Sequence, residues 1–307
     1  MPPDKSRPVR TFLRRHPLTG FFLLAYGLSW LAWLPYMLSE DGLAVFRFRY
    51  PSVLGTSQFL GVMPGAYLGP IFSAYLMTRL LEGRPGVRRW LRAFLRWRAG
   101  ARWYLLALAG VPAIMVTATF ALPGAAGALS LPAAPAVLAF LPMLLVQLVT
   151  TGLAEEPGWR EYALPRVQQR YGPMAGALIL GPLWAGWHLP LFLTGWRMGA
   201  SALGTVVEFL LFTLVLNIVV TWLFNSTRES LPVVMLFHAN INNFGSVLWP
   251  AFFPAIPVLD SRYLVGLIGF GALALVIVVA TRGRLGYRRM ETCANAGQRY
   301  GAAADIC

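Results

Sequence analysis

The 307-residue chain is short of the groups that soluble proteins use to meet water or to cross-link themselves. Only 12% of its residues are charged, and acids are scarce, 12 against 26 basic residues. Lysine is nearly missing, with Lys5 its one representative. Together with abundant alanine, glycine and proline, this suggests the coding bias of a GC-rich bacterial genome. The two cysteines, Cys293 and Cys307, lie beyond the last apolar run, so no disulfide can staple the core. No internal repeat, no Gly/Ser linker and no polar stretch of domain length breaks the chain. What is present instead is apolar: 57% of residues are hydrophobic, far above a soluble domain. One polytopic membrane domain accounts for this better than two soluble ones. A net charge of +14 could suit nucleic acid, but the arginines cluster beside apolar segments, the pattern of membrane topology; no nucleic-acid partner is expected.

Apolar runs fall at roughly 19–39, 56–80, 103–123, 132–154, 174–194, 203–225, 231–250 and 263–281, each near the ~20 residues that cross a bilayer. The first follows a basic stretch, as in a signal peptide. It is too long for a signal core and no A-x-A site follows, so it reads as a retained span. With both termini cytoplasmic, eight spans leave only Arg47, Arg49, Arg197 and Arg262 on the far side, and seven would break this alternation. The expected fold is therefore all-α, a polytopic transmembrane helical bundle of about eight spans in a bacterial plasma membrane. A basic arm covers residues 1–18, the transmembrane domain 19–282 and a polar tail 283–307. Between spans two and three, Val87, Trp90, Leu91, Phe94 and Leu95 recur at helical spacing opposite Arg88, Arg89, Arg92 and Arg96. That pattern predicts an interfacial helix at about 84–98, lying on anionic headgroups, with a helical extension of a neighbouring span as the alternative.

Ionisable residues are costly at membrane depth and usually face a cavity. Leu153-Ala154-Glu155-Glu156-Pro157-Gly158-Trp159-Arg160 closes the fourth apolar run with two adjacent carboxylates, a helix-breaking pair and a cation. Glu155 and Glu156 point about 100° apart on a helix, so they do not share a job. Glu156 and Arg160 are placed to pair, and Pro157-Gly158 predicts a bend or break. His188 lies in the fifth run, one turn after Trp184. His238 and Asn242 share a face of the seventh. Each feature has a plainer reading: solvated carboxylates at a helix end, a packed histidine, and hydrogen bonds that hold helices together. Glu208, in the sixth run, could extend Glu155, His188 and His238 into a proton relay. Two histidines with Glu155 could also hold zinc, although no H-E-x-x-H pair is present.

The ordered set Glu-Glu-x-x-x-Arg, an aromatic four residues before a histidine, then His-x-x-x-Asn, on separate spans, resembles the CPBP family. These are the CAAX-processing and bacteriocin-processing (Abi) intramembrane proteases, related to the type II CAAX prenyl endopeptidase. The likeness covers about residues 140–245. Trp184 stands where phenylalanine is commoner, and Glu161 where the bacterial branch often has glycine. The resemblance implies that Glu155 activates water with help from His188, that His238 and Asn242 stabilise an oxyanion, and that Glu156 and Arg160 position the site. It implies no cofactor; a zinc variant would use Glu155, His188 and His238. The expected activity is cleavage of a peptide or membrane-protein substrate near the cytoplasmic leaflet. A catalytically silent scaffold or bacteriocin-immunity factor and a proton-coupled carrier are the alternatives.

Overall fold

A computed structural model of the chain describes residues 6–197 and 203–288. Among them all regular structure is helical and no strand forms. After a short basic helix α1 (Ser6–Arg15), long helices follow: α2 (Pro17–Leu38), α3 (Gln58–Leu95), α4 (Ala101–Thr119), α5 (Ala134–Tyr171), α6 (Pro173–Leu193), α7 (Leu203–Ser226), α8 (231–252) and α9 (Val258–Thr281). Seven of these, from α2 to α7 and α9, are long and apolar enough to cross a membrane. The eighth expected span, α8, is a continuous helix but falls outside that set, because His238, Asn240, Asn242 and Asn243 lower its hydropathy. Those polar side chains are tolerable because α8 runs inside the bundle: His238, Asn240 and Asn243 are buried by protein.

Proline and glycine punctuate the helices as their backbone chemistry requires. Pro17 and Pro173 open α2 and α6 at positions where a missing N–H costs nothing. Gly172, at φ +82°, makes the tight α5–α6 turn. Gly83, at φ +69°, breaks α3 and redirects residues 84–95. Residues 84–95 continue α3 past that break as a helix, and much of its apolar face is turned to protein. Trp90 and Ala93 are buried, and the Trp90 indole donates to the Pro157 carbonyl at 3.2 Å. The apolar side chains it leaves exposed are Leu91 and Leu95, followed by Trp97.

Hydrogen bonds define two ends of the bundle. At the arginine-rich end, Arg96 grips both oxygens of Glu161 at 3.0 and 2.9 Å, and the Ser230 hydroxyl donates to the Arg96 carbonyl. Beyond it, Arg166 pairs with Glu82, and Gln168 exchanges hydrogen bonds with Asn225. At the opposite end, the Gly195 amide donates to the Asp41 carbonyl, and the Ser130 amide to that of Phe252. Glu161 is thus part of a clamp at the arginine-rich end.

Candidate active site

The Glu155-Glu156 pair sits on α5 between two π-helical turns, Leu148–Leu153 and Pro157–Ala163. Proline removes one backbone donor, and the wider turn absorbs the loss without the predicted break. Helix α5 therefore runs through the site unbroken. Both carboxylates are buried, and they turn to different partners. Glu155 Oε2 accepts from the Trp184 indole N–H at 2.7 Å and lies 3.9 Å from His188 Nε2. Glu156 accepts from Arg160 Nε at 2.9 Å and lies 2.7 Å from His238 Nδ1. Arg160 has no exposed surface; it also donates to Asn217 of α7, and its guanidinium lies over the Trp184 ring, 4.7 Å from the centroid.

His188 is held by Nδ1, 2.9 Å from the Trp184 carbonyl oxygen. A carbonyl can only accept, so Nδ1 carries the hydrogen and Nε2 is left for Glu155. Trp187, Trp196 and Phe209 surround the ring with centroids 4.6, 5.8 and 5.2 Å away. His238 meets the Trp184 ring edge-on at 5.1 Å. One turn later on α8, the Asn242 amide donates a long 3.4 Å bond to Thr151, whose own hydroxyl donates to Gln147 at 2.8 Å. A cavity of about 430 Å³ joins these groups. Glu155, His188, His238 and Asn242 all line it; Glu156, Arg160 and Glu208 do not.

The four residues expected to do chemistry thus share one cavity, and the two expected to position them sit behind its wall. Glu208 stands apart, so the four-residue relay is not assembled. Among the described residues, no three His, Cys, Asp or Glu side chains gather as a metal-binding group. Sequence reasoning missed Asn217, which anchors Arg160 and donates to the Ala177 carbonyl at 2.6 Å. A lone amide in the middle of the very apolar α7 was the available signal. It also missed Thr151, one turn before Glu155 on the same face.

Residues 137–244 match the family described as type II CAAX prenyl endopeptidase Rce1-like. The likeness to that family rests on this stretch, about a third of the chain. The matched Rce1-like core contains Glu155, Glu156, Arg160, His188, His238 and Asn242, and leaves α2, α3, α4 and α9 outside it. Over 107 residues the chain is 30% identical to a curated protein of Methanococcus maripaludis named CAAX prenyl protease 2. That match covers 34% of this chain and 39% of the relative, so the likeness spans about two fifths of the archaeal protein. The multi-pass helical body and the Rce1-like core identify an integral membrane protein.

Proposed function

We propose that this chain is an intramembrane endopeptidase in which Glu155 and His188 activate a water and His238 and Asn242 stabilise the oxyanion. The observation that carries this reading is the single cavity lined by all four side chains. Its volume, about 430 Å³, is in the range of small ligand clefts. The 3.9 Å between Glu155 Oε2 and His188 Nε2 is too long for a hydrogen bond and short enough for both to hold one water. As the water oxygen bonds to the scissile carbonyl carbon, Glu155 takes its proton. The proton then passes to the leaving amine as the C–N bond breaks. His188, fixed by the Trp184 carbonyl, presents an acceptor to the same water. His238 donates Nδ1–H to Glu156, so its Nε2 can donate to the oxyanion only as imidazolium, a charge that the Glu156 carboxylate balances. Asn242 spends one amide hydrogen on Thr151 and keeps the other for the oxyanion.

The protease name of the archaeal relative and the family's description support peptide hydrolysis. Peptides or membrane-protein precursors are the proposed substrates; a prenylated substrate is not carried over. A carrier has less support, because Glu208 stands off the cavity wall. The deciding experiment is turnover of a quenched fluorescent peptide library by the protein in proteoliposomes. Glu155→Gln should abolish cleavage while thermal unfolding stays unchanged, and persisting turnover would sink the proposal. Excess chelator should leave wild-type turnover intact; a loss restored by added zinc would replace this mechanism with a metal-dependent one.

A further inference from the structure

On α5 and α7 the cavity lining stops at the charged groups. On α5 Glu155 lines the space and Glu156 lies beneath it; on α7 Leu216 lines it and Asn217 binds Arg160 below. Beneath that level the bundle is closed by Glu156, Arg160, the Trp90–Pro157 hydrogen bond and the Arg96–Glu161 clamp. Above it, α8 continues the wall through Asn242 to Ser246, which is exposed, and the cavity reaches Thr56, Trp196 and Arg262. Helix α8 begins beside Ser230, at the arginine-rich end, and finishes at Phe252, bonded to the loop of the opposite end. At 1.5 Å per residue, His238 lies about 11 Å from the first end and about 21 Å from the other. The site is therefore closer to the arginine-rich end, yet the space in front of it climbs away from that end.

Arginine distribution assigns the ends. Only Arg47, Arg49, Arg197 and Arg262 of the 26 basic residues belong to the segments at the cavity's end, the strong asymmetry by which arginine-rich segments stay cytoplasmic. We propose that the cavity opens to water on the extracytoplasmic side. Resting on the peptidase reading, this makes the substrates polypeptide segments presented on that face, such as the tails or linkers of exported and membrane-anchored proteins. Cleavage at the cytoplasmic surface, the expectation from span order alone, would require a passage through the closed floor.

The test is labelling by a charged, membrane-impermeant methanethiosulfonate in a cysteine-free background made with Cys293→Ser and Cys307→Ser. Ser246→Cys in the cavity and Thr56→Cys at its rim should react in right-side-out vesicles. Arg98→Cys, at the arginine-rich end, should react only in inverted ones. Reaction of Ser246→Cys and Thr56→Cys solely in inverted vesicles would overturn the proposal, as would failure of both to react from either side. Labelling needs no catalysis, so outward reactivity in a chain that cleaves nothing would defeat the peptidase reading and leave the access route standing.

Discussion

Trp184 connects the charged groups of the site. Its indole N–H points to Glu155, its face carries the Arg160 guanidinium and its ring abuts His238. A phenylalanine would keep the packing and lose the hydrogen bond, which at a charged acceptor is worth about 1.5–3 kcal/mol. Trp184→Phe should therefore lower kcat by about tenfold or more with little change in unfolding temperature; an unaltered kcat would show that the indole N–H does not hold Glu155 for the reaction. Asn242→Ala removes a donor that only the developing oxyanion needs in full, so kcat should fall by about 10²–10³-fold with KM nearly constant. A rise in KM alone would assign Asn242 to substrate binding. Arg160 makes a different contribution. It is buried against Glu156, and removing one partner of such a pair leaves an uncompensated charge, at about 3–5 kcal/mol. Arg160→Met should lower the unfolding temperature in detergent sharply, and Arg160→Met with Glu156→Gln should recover part of the loss. The roles of Glu156 and Arg160 could be anticipated from their four-residue spacing. Asn217 could not, because nothing in the order of residues says which face of α7 meets Arg160.

At the scale of elements, α5 is the piece whose course the chain order left open. Pro157-Gly158 reads as a bend or break, and the break does not occur: the helix passes through in a wide π turn because tertiary packing holds both sides of it. Gly158 explains the fit: a Cβ there would lie 2.5 Å from the Pro70 carbonyl oxygen of α3. Backbone cannot swing aside as a side chain can, so Gly158→Ala should cost about 1–3 kcal/mol and lower the unfolding temperature. An unchanged melt would mean that α3 and α5 do not approach as described. The 84–95 segment shows the same limit of periodicity. Its apolar spacing was legible, but lipid and protein both reward an apolar face, and only the packed bundle shows that Trp90 and Ala93 meet protein. Glu161 is the converse case. A family likeness marks it as a departure, and the structure explains it as the partner of Arg96 at a partly exposed clamp.

For the molecule as a whole, hydropathy and arginine placement determined the class of protein, an all-helical membrane body with a polarity of ends. Both follow from local transfer energies that each segment carries in its own composition. The motif order likewise pointed to Glu155, His188, His238 and Asn242 before any geometry was known. Which of the polar groups face a common cavity, which lie behind it and towards which end that cavity climbs were settled by tertiary structure alone. Those facts depend on rotations of α5, α6, α7 and α8 about their own axes. Residues separated by 29 to 82 positions in the chain, such as Trp184 with Glu155 and His238 with Glu156, meet only once the helices have packed.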